Sequence, residues 1–316
     1  MSFESNARVR FAALPPQLKR ATVLRVGTLL TAHGETPTGK PLNDLARVIG
    51  SWDSAGLWLA AAVIRGALPL SSAVRRVRRV MELDGPWAAI DALLTLDGDS
   101  WRRGDPVPSV SIVGKDTVLL DVTGLLLDDE PQEGRGAGRK LAREWSQYSG
   151  VELVTWADDT RNLRAINAAE ASIIGVNEPS IDSNEALVPH GSTYVLVGIV
   201  DRPRLSERII ALGAISGNTT GSVGYGLGPL IDSQAYKRPE GDRRFAWHLA
   251  AQRSLEQLAI LGGHEIADHY RGWEIMLPAL GLEGPQLHEF ALPGDAPAVD
   301  SWSELARTVG SSIGIH

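Results

Sequence analysis

One stretch constrains the fold of this chain more than any other: residues 116–145. It opens with Asp116-Thr-Val-Leu-Leu-Asp121-Val-Thr123, an apolar, β-branched run that closes on a carboxylate. Such a run suits a parallel strand covered on both faces, where neither side meets water. A loop follows from Gly124 to Glu133, acidic at Asp128, Asp129, Glu130 and Glu133. Gly134, Gly136 and Gly138 then alternate with Arg135, Ala137 and Arg139, ahead of Lys140-Leu-Ala-Arg-Glu-Trp145. Glycines at that spacing let a backbone pass close to a ligand or a neighbouring strand. A helix starting behind them turns free amide N–H groups toward an anion. The expected unit is strand, glycine turn and helix, the first unit of a nucleotide-type α/β domain. A flexible glycine loop without a ligand fits the same residues.

The rest of the chain falls into two rhythms. Residues 1–50 read as one or two helices followed by a loop at His33–Pro41. Helices are expected from Asp53 or Ser54 to Arg65, from Ala73 to Leu83 and from Trp87 to Leu96, with Gly66-Ala-Leu-Pro69 and Asp84-Gly85-Pro86 between them. Gly98, Gly104, Pro106 and Pro108 mark a linker. After it, strands at 110–113, 118–121, 151–156, 186–189, 219–225, 257–261 and 287–292 alternate with helices, including one at 163–174. Residues 193–200 read as a strand or the start of a helix. That alternation predicts a Rossmann-like, doubly wound parallel sheet with helices on both faces. The expected division is a helical extension over residues 1–104 and the Rossmann-like domain over 105–316. Ligands of such sheets sit at the carboxyl ends of the strands, here Asp121, Asp158, Tyr225 and Gly262.

Composition excludes several functions. A net charge of −7 argues against general nucleic-acid binding, which needs a basic surface to neutralise phosphates. There is no Cys, hence no disulfide and no thiolate metal site. No apolar run reaches the roughly 18–20 residues of a transmembrane helix. The amino terminus lacks the apolar core of a signal peptide. A cytoplasmic protein is expected. The one dense basic run, Arg75, Arg76, Arg78 and Arg79, is a solvated helix face or a contact with an anionic membrane surface that would make the protein peripheral there.

Motifs for metal or nucleophilic chemistry fail on spacing. His264 and His269 are five residues apart, about 140° around a helix, whereas a zinc helix places its two His four apart on one face. Asp158-Asp159 has no further ligand beside it in sequence and reads as a capping and loop pair. No Gly-x-Ser-x-Gly elbow is present.

The second half resembles the N-terminal, acceptor-side domain of bacterial family 4 glycosyltransferases of the two-domain GT-B type. The likeness runs from about Val118 to Val299. It is carried by Asp121-Val-Thr123, Gly136-Ala137-Gly138-Arg139, Leu153-Val-Thr-Trp156, Val223-Gly-Tyr225-Gly226-Leu-Gly228-Pro229, Pro239 to Leu249, Tyr270 to Leu277, Gly281 to Pro285 and Leu292-Pro293. Residues 52–94 are similar to a helical extension of some actinobacterial members. The resemblance implies transfer of a sugar from a nucleotide-sugar to an acceptor, without a metal. The nucleotide would be held mainly by a second domain, and the acceptor would lie against loops 124–139, 225–232 and 261–264.

Asp121, Gly136, Gly138, Arg139, Tyr225, Gly226 and Gly263 are the cleft-lining candidates that the resemblance implies. None of them has an assigned catalytic role. Gly226 stands where the family carries an acid, Gly228 where it carries a branched residue, and Gly263 where it carries a capping Ser. The sequence ends at His316 without a second doubly wound domain. The expectation is therefore an acceptor-side half that is inactive alone. It would have no cofactor of its own and use a nucleotide-sugar only if a donor domain is supplied. Its implied partners are a second glycosyltransferase chain or domain and a glycan or lipid-linked acceptor. The alternative is a non-catalytic glycosyltransferase-like binding or partner protein.

Overall fold

The alternation after residue 110 builds a nine-stranded sheet. The computed structural model describes residues 2–96, 107–126, 132–157, 159–177, 184–200, 202–225, 241–262, 264–290 and 299–315. The strands are β1 (Val110–Val113), β2 (Val118–Asp121), β3 (Val151–Trp156), β4 (Leu163–Ala165), β5 (Ala186–Pro189), β6 (Thr193–Leu196), β7 (Thr219–Gly224), β8 (Gln257–Leu261) and β9 (Gln286–Phe290). Their order is β1-β5-β4-β3-β2-β6-β7-β8-β9. Every pairing is parallel except those made by β4. The fold is α/β and Rossmann-like. β2 is its pivot: β3 is added on one side of it, and β6 to β9 on the other. Asp121 is in register with Val154 of β3 and with Leu196 of β6.

Successive side chains of a strand point to opposite faces, and the apolar strands of this sheet bury both. Leu120, Val122, Leu153, Val195, Val197, Ala259 and Leu261 form one core. Helices α8 (Gln132–Trp145), α9 (Ala168–Ile174) and α13 (Val299–Ser312) cover it. Leu119, Val154, Trp156, Tyr194 and Leu196 point the other way, toward α10 (Pro203–Ile215) and α11 (Gly241–Arg253). Leu258 and Ile260 share that second side with Phe245, and with Tyr270 of α12 (His264–Ala279).

Two local expectations change. Leu163–Ala165 is a strand rather than the start of a helix. Ahead of it Thr160 has φ 58°, and the Ala157 N–H donates to Asn162 O at 2.9 Å, so the chain turns back into β4. The helix starts only at Asn167, where Asn167 and Glu170 form a reciprocal capping box. The second change concerns Gly134, Gly136 and Gly138, which lie inside α8 and not in a turn before it. Ala137, Leu141, Ala142 and Trp145 give that helix a buried face. Burial of this face outweighs the helix cost of glycine, about 1 kcal/mol per residue.

Residues 2–96 form six α-helices: α1 (Phe3–Ala13), α2 (Pro16–Ala32), α3 (Pro41–Val48), α4 (Ser54–Arg65), α5 (Ser71–Asp84) and α6 (Pro86–Leu94). Asp53 caps α4 by accepting the Gly56 N–H at 2.8 Å, and Gly66 ends it at φ 62°. The helices share one core with the sheet: Leu29, Leu57, Trp58, Val77 and Leu93 cluster with Leu119, Leu187, Ile209 and Leu212. Buried Arg208 of α10 donates to Leu68 O. Buried Arg25 donates to Ile64 O at 3.1 Å and to Pro108 O at 2.6 Å, at the negative carboxyl end of α4. Burial, reinforced by neighbouring Arg65, lowers the Arg25 pKa to about 10. The expected boundary near residue 105 lies outside the described residues.

Because the core crosses from helices to sheet, the sheet depends on the helical layer. A fragment of residues 107–316 is expected to lose the cooperative thermal transition of the full chain in circular dichroism. A fragment that melts as cooperatively as the whole would show that the layer is dispensable.

Candidate functional site

In doubly wound sheets the ligand site lies outside the carboxyl ends of the strands, where the strand order reverses. That position here is between the ends of β2 and β6. The first carboxylate met there is Asp121, and it is not on an open surface: its exposure is 0%. Its Oδ2 accepts from Trp156 Nε1 at 2.7 Å and from the Tyr194 hydroxyl at 2.5 Å. Its Oδ1 accepts from the Thr123 N–H at 2.9 Å. Thr123 Oγ1 in turn accepts from the Trp156 N–H at 2.9 Å. Burial pushes the Asp121 carboxyl above its ordinary range, against these hydrogen bonds, which favour the ionised form. Burial, with the adjacent Asp121 charge, holds the Tyr194 hydroxyl well above its ordinary value, so Tyr194 remains a donor. Asp121 thus ties β2, β3 and β6 together at their ends and has no lone pair directed at a rim ligand through an open face.

Above this network the two loops at the reversal touch backbone to backbone. A Cβ built at Gly124 would lie 2.5 Å from both the N and the O of Ile199, and one at Gly198 would lie 2.7 Å from Gly124 Cα. No ligand group fits between them, and only glycine permits the approach. Past Gly198, the Val200 N–H donates to Nδ1 of His248 on α11 at 3.3 Å.

The rim is formed by α7 (Thr123–Leu126), the adjoining part of α8 and the end of β7. Gly138 seats α8 on this rim: a Cβ there would lie 2.6 Å from Leu125 Cδ2 and 2.8 Å from the Tyr225 hydroxyl oxygen. Arg139 donates to Leu125 O at 2.8 Å. Leu126, Arg135, Arg139, Ile199 and Tyr225 are half-buried, and Gly136 is exposed with open space around it. Gly138, Arg139 and Tyr225 therefore come together, Gly136 lies about half a turn from Gly138 around α8, and Asp121 lies beneath. Gly226, Gly263 and Asp158 lie outside the described residues. Asp159 accepts the Arg161 N–H at 3.0 Å, a loop contact. Among the described residues no group of three His, Asp or Glu side chains gathers to hold a metal ion.

Sequence reasoning missed Tyr194, Trp156, His248 and the Gly124–Gly198 contact. A tyrosine inside an apolar strand was the available signal, because a buried hydroxyl needs a partner. Nothing in the sequence marked His248.

No family model matches this chain, and no curated protein matches its sequence. No described helix is long and apolar enough to cross a membrane.

Two measurements follow from the rim and its support. Gly138→Ala is expected to cost about 1–3 kcal/mol through overpacking. Gly136→Ala, in open space on the same helix, should stabilise by about 0.5–1 kcal/mol. Urea denaturation of both variants checks the contrast, and equal effects would contradict the packing at Gly138.

His248 is 2% exposed, and burial lowers its pKa from 6.5 to about 3. Below about pH 6.5 the unfolded chain then binds a proton that the folded chain does not, so stability falls as pH drops, by up to about 1.4 kcal/mol per unit. His33, lowered by burial and by neighbouring His190, acts in the same direction. Asp121, raised by burial, acts in the opposite one. His248→Gln should flatten the acid-side fall of the urea midpoint. An unchanged slope would mean that folded His248 binds the proton after all.

Proposed function

We propose that this chain is a glycosyltransferase-like protein, the acceptor-side half of a nucleotide-sugar-dependent enzyme, with no transfer activity by itself. The observation that carries this reading is the rim at the β2–β6 reversal. It places the half-buried Tyr225 ring against Gly138 of α8, the helix that also carries the half-buried Arg135 and Arg139. An amphipathic ring with a few polar groups around it suits a saccharide, which presents apolar C–H faces and hydroxyls together. The implied partners are a glycan or lipid-linked acceptor and a second glycosyltransferase chain or domain that brings the nucleotide-sugar.

Two features support the absence of activity in these residues alone. Sugar transfer needs donor and acceptor held together, which supplies up to about 7–11 kcal/mol of the barrier, and needs charge on the leaving diphosphate to be stabilised. The Gly124–Gly198 contact fills the crevice in which a Rossmann sheet would take a dinucleotide. The carboxylate nearest the reversal, Asp121, is buried and occupied by three donors. The same two facts favour the second reading, a non-catalytic glycosyltransferase-like binding protein.

Glycan-array and calorimetric titration separate these readings from their rivals. At least one free or lipid-linked saccharide should bind the full chain saturably, and Tyr225→Ala should weaken that binding about tenfold or more at a temperature where circular dichroism shows the variant still folded. Uridine and guanosine diphosphate sugars should bind no tighter than about millimolar, roughly −4 kcal/mol. Micromolar nucleotide-sugar binding that is lost in Gly136→Trp would overturn the inactive reading. Failure of every saccharide would overturn the acceptor assignment.

A further inference from the structure

A second candidate site lies in the helical unit, between α4, the turn that follows it and the start of α5. It is a pocket of about 250 Å³ bordered by Arg65, Ala67, Pro69, Leu70, Ser72 and Arg76. Among the described residues no carboxylate lines it. Arg76 and Ser72 are exposed at its mouth. Arg65 forms part of the wall, with Nη1 3.5 Å from Leu94 O.

The basic run on α5 divides by what each arginine contacts. Arg78 pairs with Glu82 at 2.9 Å and donates to the Ser54 hydroxyl at 2.5 Å. Arg76 makes no hydrogen bond or ion pair with any described residue. Val74 and Val77 are the buried side of the helix, which turns Arg75, Arg76 and Arg79 to solvent. Of these three, only Arg76 lines the pocket. Leu70 occupies the N-cap position of α5, and its side chain cannot accept from the first amides. Beside it, the Ser71 hydroxyl oxygen is buried without a hydrogen-bond partner. Among the described residues the pocket thus brings the Arg76 guanidinium, the Ser72 hydroxyl and N–H groups of the first turn of α5 beside Arg65, which also bonds to Leu94 O, in a partly apolar setting.

We propose that this pocket binds the phosphate group of a phosphomonoester. The volume lies just below the usual range for small-molecule sites, about 300–1,000 Å³, so it suits a phosphate with a short or departing substituent and not a whole nucleotide-sugar. Guanidinium groups match the geometry of phosphate oxygens, and the positive end of α5 adds to the attraction. The site uses none of the rim residues at the sheet and stands or falls separately from the saccharide reading. A soluble phosphoester and the headgroup of an anionic lipid present the same chemistry here.

The test uses the full chain at about 0.15 M salt, where diffuse surface attraction is largely screened. Glycerol phosphate is titrated calorimetrically, and phosphatidylcholine vesicles with and without phosphatidic acid are tested by co-sedimentation. Saturable binding of glycerol phosphate or of the phosphatidic acid vesicles is expected, weakened about tenfold by Arg76→Gln, as for loss of a charge-assisted contact. Arg75→Gln removes the same charge from the same helix outside the pocket and should change binding less than about twofold. Binding of glycerol phosphate alone identifies a soluble ligand, and binding of the vesicles identifies a lipid headgroup. No saturable binding of either, or equal losses in the two variants, would overturn the proposal.

Discussion

The carboxylate of Asp121, out of water and without a cationic partner in its hydrogen-bond shell, is the constraint on which the middle of this protein depends. Isolating a carboxylate from water is costly unless donors replace the lost hydration. Here Trp156 supplies an indole N–H, Tyr194 a hydroxyl and Thr123 a backbone N–H. They come from β3, β6 and the loop after β2, so satisfying one charge fixes the carboxyl ends of three strands relative to each other. The loops that leave those strands are then brought together at Gly124 and Gly198, where a single methyl on either backbone would collide. Leu125 is held by the same loop, and α8 rests on Leu125 through Gly138. The shape of the rim is therefore a consequence of the buried network beneath it.

The other face of the sheet shows a different kind of dependence. Its apolar side chains do not form a separate layer that the helices merely touch. Leu119, Leu187 and Ile209 share one cluster with Trp58, Val77 and Leu93. Two buried arginines cross the boundary between helices and sheet by donating to carbonyl oxygens: Arg208 to Leu68, and Arg25 to Ile64 and Pro108. Carbonyls at a helix carboxyl end carry partial negative charge and satisfy a guanidinium without a carboxylate. This arrangement joins the layers by direction-specific bonds as well as by burial.

Chemically, the two candidate sites are distinct. The rim at the sheet combines an aromatic ring and cations on rigid elements, while its nearest carboxylate is withdrawn into the core. The pocket beside α5 combines cations and a hydroxyl with apolar walls. Neither brings together an accessible acid and base among the described residues.

The sequence by itself determined most of the secondary elements and the fold class. Apolar β-branched runs, caps such as Asp53, and breaks such as Gly66 act within a few residues, and their periodicities are local. Alternation of strands and helices was enough for a doubly wound sheet. The Asn167–Glu170 capping box could also have been read, and it would have separated β4 from α9. Tertiary structure alone decided what the marked residues do. Gly134, Gly136 and Gly138 read as a turn because glycine disfavours helix. They are helical because Ala137, Leu141 and Trp145 are buried, and of Gly136 and Gly138 only Gly138 is then required, by contact with Leu125 and Tyr225 from elsewhere in the chain. Asp121 read as a cleft residue because it ends a strand, and it is buried because Tyr194, some seventy residues on, arrives beside it. Those outcomes rest on contacts between distant segments, whose energies depend on burial and close approach and leave no periodic trace in sequence.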